Sequence, residues 1–110
     1  MNIRTYVTRQ AKWSTKVFGA GPRSEGICRH IEKELAEVRS EPYSPTEWAD
    51  IAILALDGLW RCQVAQGYSI ADAAEIAERT MRSKQHNNRL REWPPPCAQD
   101  QANEHIRTDA

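Results

Sequence analysis

The chain has 110 residues, of which 40% are hydrophobic, and its fifteen basic and fifteen acidic residues give a formal net charge of zero. A chain of this length without internal repeats is expected to form one small domain, which buries roughly two-thirds of the surface of its unfolded state. The balanced charge argues against a general affinity for nucleic acid or membrane surfaces and favours a small-molecule partner.

The cysteines and the apolar runs predict a soluble protein of the cytoplasm. Cys28, Cys62 and Cys97 lie far apart and lack the paired spacing of a zinc site or a redox motif, so we expect free thiols in a reducing compartment. Residues 1–13 lack the apolar core of a signal peptide, and the most apolar run, residues 51–56, is too short to cross a bilayer.

A loose helical pattern predicts a first helix from about Thr5 to Phe18, ended by glycines and a proline at residues 19–22. Ser24 is expected to cap the second helix. The core stripe of that helix is predicted to contain Ile27, Ile31, Leu35 and Val38.

The third helix opens with a cap sequence, in which Ser44 is the cap, Pro45 occupies the first helical position and Glu47 the third. We expect this helix to continue to Gln66 and to stop at Gly67. Its apolar residues surround most of the cylinder, so it is predicted to be the buried helix of the domain.

Ser69 and Asp72 form another cap-like pair and open a fourth helix that is expected to extend to about Leu90. Its apolar face contains Ile70, Ala73, Ala74, Ala77 and Met81, and the same face then becomes cationic and polar at Lys84, Asn88 and Arg91. Residues 93–96, a tryptophan and three prolines, end the helix, and the polar segment beyond them has too little apolar surface to fold alone.

Four carboxylates stand out in the second and third helices. Glu34 and Glu37 are three residues apart, and Glu47 and Asp50 are again three apart. Residues at this spacing share a helix face, so the pairs converge if the loop between them folds into a helical hairpin. The group repels itself unless a cation lies within it, and Mg²⁺ and Mn²⁺ prefer oxygen ligands. The pattern therefore predicts a metal-dependent phosphate-ester enzyme, in which His30 either orients Glu34 or forms an ordinary pair with it.

Each carboxylate also has an ordinary explanation. A single Glu on an amphipathic helix is more often a solvated charge, and Glu47 can instead bond back to the Ser44 amide as a capping box. Asp50 favours the metal site because it lies in the most apolar segment, where an ionised carboxylate needs a partner. Two roles are equally compatible with Asp57. It can support the metal site, or it can form a salt bridge with Arg61, four residues further along the helix.

Lys84, Asn88 and Arg91 are candidates for binding the outer phosphates of a triphosphate, because Arg can grip two phosphate oxygens at once. The alternative is a basic last turn that only complements the helix dipole. Arg23, in its glycine-proline turn, is a further substrate-binding candidate. Aromatic residues that could stack on a base are Trp13, Phe18 and Trp93.

The sequence resembles a known family in several blocks. Glu34-x-x-Glu37 and Glu47-x-x-Asp50 resemble the ExxE and ExxD motifs of the MazG-like all-α nucleoside triphosphate pyrophosphohydrolases. The dATP/dGTP diphosphohydrolase branch, which includes phage MazZ-like enzymes, is similar in FGAGPRSEG, HIEKELAEVR, EWADIAILALDG and the ending Lys84-x-x-x-Asn88-x-x-Arg91-x-Trp93-Pro94. The resemblance covers about residues 5–94.

The resemblance implies an all-α bundle of four main helices, completed as a homodimer or homotetramer, with the domain in residues 1–94 and a flexible polar tail in 95–110. It also implies hydrolysis of dGTP or dATP between the α and β phosphates to the monophosphate and pyrophosphate. In that reaction a metal-activated water attacks, with two or three Mg²⁺ ions, or Mn²⁺ in their place, held by Glu34, Glu37, Glu47 and Asp50. Glu37 is a candidate for taking the proton of the water.

Two other classes of protein are compatible with the acidic residues. One is a non-catalytic helical interaction protein in which metal only stabilises the bundle. The other is a redox-active di-metal carboxylate protein, although the Glu-x-x-His motif of such bundles is absent from the sequence.

Overall fold

The computed structural model describes residues 1–96 and 99–107, and within them the protein is all-helical, without strands. The four helices are α1 (Ile3–Phe18), α2 (Ser24–Ser40), α3 (Pro45–Val64) and α4 (Ile70–Leu90). This confirms the predicted fold class, whereas completion by oligomerisation stays a prediction. In the described part of the chain, every helix is too short or too polar to cross a bilayer.

Most helix boundaries follow local signals, but α3 ends at Val64 and not at the expected Gln66, and two of the predicted caps are wrong. α1 starts at the expected kind of cap, since Asn2 accepts a hydrogen bond from the Thr5 amide at 2.8 Å. The Ser24 prediction is wrong, because Ser24 is the first helical residue and Arg23 precedes it without a capping side-chain bond. The predicted cap at α4 is confirmed, since the Asp72 amide donates to Ser69 Oγ at 3.1 Å.

The start of α3 departs from the expected capping box. Ser44 and Pro45 stand where the pattern puts them, but Ser44 makes no side-chain cap bond. The Ser44 amide instead donates to the Glu41 carbonyl at 3.1 Å. The Glu47 side chain is thereby left to face other groups.

The chain divides into two compact units, residues 1–79 and residues 80–110. In the first unit, α1 and α2 both pack against α3. The core cluster of this unit combines one large side chain with small ones and consists of Val7, Ala11, Trp60, Ala73, Ala74 and Ala77. The alanines at the start of α4 and the indole of Trp60 are almost fully buried, as expected where small side chains pack against a large one.

Burial along α3 differs from the prediction of a fully buried helix. Its buried residues are Asp57, Trp60 and Arg61, whereas Trp48 is 54% exposed and Ile53 is 36% exposed. A helix with apolar side chains on all sides needs neighbours on all sides, and the helices of a single chain of this length cover only part of it.

The stripe of α2 is also displaced from the one predicted. Ile27 and Val38 are buried as expected, but Leu35 is 38% exposed and Glu34 is only 7% exposed. The buried face of this helix therefore includes a carboxylate at the place where a leucine was expected.

The second unit comprises the end of α4 and the residues after it. Trp93 Nε1 donates to the Asn88 carbonyl at 2.6 Å, and its ring meets that of His105 edge-on at 5.8 Å between centroids. The Ile106 amide donates to the Glu92 carbonyl at 2.6 Å. The predicted flexible tail over 95–110 includes residues outside the described ranges, so it stays a prediction. Cys97, predicted to be a free thiol, also lies outside them.

Candidate metal and nucleotide site

Three carboxylates from α2 and α3 converge in the first unit. Glu34, Glu37 and Glu47 each offer an oxygen atom, and these atoms lie within 4.8 Å of one another. Glu34 and Glu37 share a face of α2 because they are one turn apart, and the short connection at residues 41–44 brings the first turn of α3 beside them. The structure thus brings together three of the four predicted ligands.

Two of these carboxylates, Glu34 and Glu47, each have one buried oxygen without a hydrogen-bond donor in the described part of the chain. Among the described residues, no group hydrogen bonds to Glu34 Oε2 or Glu47 Oε2, and both atoms are closed off from solvent. The Glu37 carboxyl can hydrogen bond with either of them only when one member of the pair is protonated. An ionised oxygen in this position lacks the compensation that buried charges require, and a cation would supply it.

The crowding appears in the titration of the group. Burial raises the pKa of Glu34 above its ordinary value, the hydrogen bond and charge of Glu37 and the charge of Asp50 add to the rise, and His30 opposes it. The pKa of Glu47 is raised first by its hydrogen bond with Glu37, then by burial and by the neighbouring charges. Both raised pKa values show that holding these negative charges close together is energetically unfavourable.

Asp50 and His30 lie at the border of the cluster. Asp50 lines a cleft together with Glu34, and its charge contributes to both raised pKa values. His30 Nε2 is 3.3 Å from Glu34 Oε1, as the spacing of four residues indicates. His30 therefore contacts the oxygen of Glu34 that is not orphaned.

The cleft extends from the carboxylates to an aromatic wall and has a volume of about 370 Å³. Trp13 and Phe18 meet edge-to-face at this wall, with ring centroids 5.8 Å apart. The guanidinium carbon of Arg23 lies 4.8 Å from the centre of the Phe18 ring. Arg23, predicted from its turn alone, thus lines the same cleft as Glu34 and Asp50.

Asp57 belongs to a buried salt bridge, the second of the two explanations that the sequence left open. Its Oδ2 atom accepts from Arg61 Nε at 3.0 Å and from Ser14 Oγ at 2.8 Å, and its Oδ1 atom accepts from Trp60 Nε1 at 2.9 Å. Sequence reasoning missed Ser14. A signal was present, because Ser14 continues the buried spacing of Val7 and Ala11 on α1.

Lys84, Asn88 and Arg91 all lie in the second unit, on the last turns of α4 and just beyond it. Arg91 Nη1 donates to Asn88 Oδ1 at 3.1 Å. The pKa of His105 is lowered by burial first and then by the charges of Arg91, Arg107 and Lys84, against Glu104. The end of this unit is thus a cationic environment, and the role of its residues in binding phosphate stays a prediction.

The all-α fold and the three converging carboxylates beside an aromatic cleft define the class: a helical protein with an acidic cluster whose oxygen donors suit a divalent cation. The chain belongs to the dATP/dGTP pyrophosphohydrolase family, whose model matches residues 6–110. This confirms the resemblance found in the motifs.

One curated relative is similar over most of this chain. The chain is 39% identical over 87 residues to the Eaa protein of Salmonella phage P22, and the alignment covers 78% of this chain but 24% of that protein. The chain therefore spans about a quarter of the length of the curated relative that it matches. No solved structure matches the chain significantly.

Proposed function

We propose that this protein hydrolyses purine deoxynucleoside triphosphates, dGTP or dATP, between the α and β phosphates in a reaction that depends on Mg²⁺ or Mn²⁺. The family to which the chain belongs supports the reaction class. The observation that carries the metal requirement is the pair of buried, unpartnered oxygens Glu34 Oε2 and Glu47 Oε2 within a cluster of three carboxylates. Hard oxygen donors of this kind fit Mg²⁺ and Mn²⁺.

The proposed ligands are Glu34, Glu37, Glu47 and Asp50. The resemblance of the sequence motifs implies two or three ions and does not decide between these numbers. When bound, the metal supplies positive charge that polarises the phosphate oxygens and lowers the pKa of a water. Of these carboxylates, Glu37 is exposed whereas Glu34 is buried, so Glu37 can exchange a proton with solvent. It is therefore our candidate for the general base.

The bond changes balance without a covalent intermediate. The oxygen of a water forms a bond to the α-phosphorus, and the bond from that phosphorus to the oxygen bridging to the β-phosphate breaks. Glu37 takes the proton of the water. The products are a deoxynucleoside monophosphate and pyrophosphate, and the proton passes from Glu37 to solvent.

The two ends of the substrate need different surroundings. The cleft beside the cluster ends in Trp13 and Phe18, which are about half exposed and offer apolar faces on which a purine can stack. The triphosphate end needs cations and hydrogen-bond donors, and we assign Lys84 and Arg91, with the neutral amide of Asn88, to the outer phosphates. We assign Arg23 to the substrate in the cleft. Arg23 is the candidate among these four that lines the cleft with Glu34.

We also propose that the protein acts as a homodimer or homotetramer in the cytoplasm, where free nucleotides occur. The most apolar helix, α3, leaves Trp48 and Ile53 exposed in the single chain. A second copy of the chain covering this helix would remove apolar surface from water at about 25 cal/mol per Å². Light scattering on the purified protein tests the assembly directly.

The reaction is tested by incubating the protein with each nucleoside triphosphate plus Mg²⁺ or Mn²⁺ and separating the products by chromatography. We expect dGMP or dAMP together with pyrophosphate. Release of single phosphate would contradict cleavage between the α and β phosphates. No turnover of any triphosphate, while metal still raises the melting temperature, would instead favour a metal-stabilised interaction protein.

A further inference from the structure

A buried arginine holds the turn between α1 and α2. Arg61 is 2% exposed, and its Nη1 atom donates to the carbonyl oxygens of Gly19 at 3.0 Å and Gly21 at 2.8 Å. These carbonyls are 42 and 40 residues away in sequence. The turn is thus tied to the middle of the first unit by a charged group.

The orientation of the guanidinium is set by other partners. Nε donates to Asp57 Oδ2 at 3.0 Å, and Nη2 donates to Ser14 Oγ at 2.8 Å. The Ser14 hydroxyl in turn donates to Asp57 at 2.8 Å. Because all three nitrogens are engaged and the group is planar, the direction in which Nη1 meets the turn is determined.

The turn carries one wall of the cleft. Phe18 immediately precedes Gly19, and Arg23 follows Gly21 by two residues. The two side chains contact each other, with the Arg23 guanidinium over the Phe18 ring at 4.8 Å and Arg23 Nη1 3.5 Å from the Phe18 carbonyl oxygen. A change in the direction of the turn therefore moves both groups relative to the cleft.

The turn has an unusual backbone that depends on this support. Gly19 and Gly21 have φ angles of +87° and +106°, which side-chain-bearing residues rarely adopt. Glycine adopts other conformations about as readily, so the local sequence does not select this one. The hydrogen bonds that Arg61 donates to the carbonyl oxygens of Gly19 and Gly21 select this conformation.

We propose that Arg61, oriented by Asp57 and Ser14, is a positioning residue for the Gly19–Gly21 turn, and that it sets the affinity of the aromatic end of the cleft for a nucleobase. Arg61 takes no part in breaking the phosphate bond. This inference rests on the proposed function, because the base is that of the nucleotide substrate.

The sharpest test is Gly21→Ala, with Gly67→Ala as its matched control. Both glycines have positive φ, +106° and +101°, and at neither would an added Cβ meet any atom within 4 Å. Each substitution therefore strains one turn without a clash, but Gly67 lies in the turn between α3 and α4. Any general loss of stability is common to both variants, and only Gly21→Ala disturbs the cleft wall.

We expect Gly21→Ala to raise KM for dGTP or dATP roughly tenfold with kcat changed less than about twofold, because uniform binding is lost. KM for 2-deoxyribose 5-triphosphate, which has no base, should stay within about twofold. Gly67→Ala should match the wild type with both substrates. Equal changes for the two substrates, or equal behaviour of the two variants, would overturn the inference.

A second pair of variants tests the arginine itself. Arg61→Lys keeps the charge but cannot make the four donations, and Arg29→Lys changes the exposed ion pair with Glu25, which has the same i,i+4 spacing. We expect only Arg61→Lys to show the base-dependent rise in KM. A kcat loss for both substrates in Arg61→Lys contradicts a pure positioning role.

Calorimetric binding of dGMP and dAMP separates this inference from the proposed reaction. If the wild type binds a purine monophosphate but hydrolyses no triphosphate, the reaction is wrong, and weaker binding by Gly21→Ala still supports the positioning role. If hydrolysis occurs and Gly21→Ala leaves the affinity for the monophosphate unchanged, the positioning role is wrong and the reaction stands.

Discussion

Glu34 and Asp57 are buried to the same degree, each 7% exposed, yet their surroundings are opposite. Asp57 accepts hydrogen bonds from Ser14, Trp60 and Arg61 and has its counter-charge within the fold. Glu34 faces Glu37 and Glu47, and one of its oxygens has no donor among the described residues.

The difference teaches how to distinguish structural from functional carboxylates. A buried carboxylate is tolerated when donors and an opposite charge compensate its lost hydration. At Asp57 the protein supplies that compensation itself, so the group stabilises the fold. At Glu34 the compensation is incomplete, and this is the basis on which we propose that a cation binds there. Burial alone does not separate the two cases.

The largest expected effect is on stability at Asp57. Asp57→Asn leaves the Arg61 guanidinium buried without its counter-charge, which should lower the free energy of unfolding by about 3–5 kcal/mol. Urea denaturation measures it. Glu34→Gln is the matched isosteric change, and in the absence of metal it should leave the protein as stable as the wild type or more so. Similar losses in both variants would abolish the contrast.

The second largest expected effect is a loss of activity, and it arises in the carboxylate cluster and not at Asp57. Glu34→Gln or Asp50→Asn should abolish metal-dependent release of pyrophosphate, beyond the roughly 100-fold loss expected for groups that merely support a ligand. The helical circular dichroism signal should be retained, because the change removes a charge from a crowded cluster. Full activity in either variant excludes that residue from the mechanism.

Metal is expected to stabilise the protein through the carboxylate cluster and not through Asp57. Saturating Mn²⁺ should raise the melting temperature of the wild type by about 5 °C or more, because a ligand that binds only the folded state stabilises it. Chelation should reverse the shift, and Glu34→Gln should show little of it. A Mn²⁺ response that survives in Glu34→Gln would place the metal elsewhere.

The raised pKa values of Glu34 and Glu47 predict that the contribution of the cluster to stability depends on pH. A carboxyl whose pKa is raised on folding favours the folded state while it is protonated. That contribution is present below the ordinary value of 4.5 and is lost as pH rises through the folded-state pKa.

In chelator, the melting temperature of the wild type should therefore fall relative to that of Glu34→Gln as pH rises from about 4 to about 8. Added Mn²⁺ should reduce the fall. A difference between the two proteins that does not change with pH would show that crowding of the carboxylates has no energetic consequence.

The smallest expected effect concerns the second unit. Lys84→Ala should raise KM for the triphosphate by roughly threefold to tenfold with little change in kcat, as expected for loss of uniform binding. Lys12→Ala, on the exposed face of α1, is the control. An unchanged KM would support the reading in which the basic end of α4 only complements the helix dipole, worth about 0.3–1 kcal/mol.

Much of the fold follows from local pattern. The Ser69 cap and the turn at Gly67 were predictable because caps and turns depend on a few adjacent residues. The burial of α3 was not predictable, because its apolar residues encircle the helix and the pattern does not say which side a neighbour covers. Ser24 misled for a related reason, since a capping residue one position inside the helix gives nearly the same sequence signal.

The candidate site likewise has features that the sequence predicts and features that it does not. The pairing of Glu34 with Glu37 follows from helical periodicity, and the resemblance to the family follows from the order of its motifs. The assignment of Asp57 did not follow, because its partners include Ser14, which is 43 residues away.

The sequence by itself determined that this protein is all-helical and that its acidic residues come in pairs on helix faces, because both properties depend on neighbours within one or two turns. Only the tertiary structure decided which carboxylate is satisfied and which is left open. That outcome depends on the donors that other helices bring to each oxygen. Arg61 reaches Asp57 and the turn at Gly19 together, and no such donor reaches the orphaned oxygens of Glu34 and Glu47 in the described part of the chain.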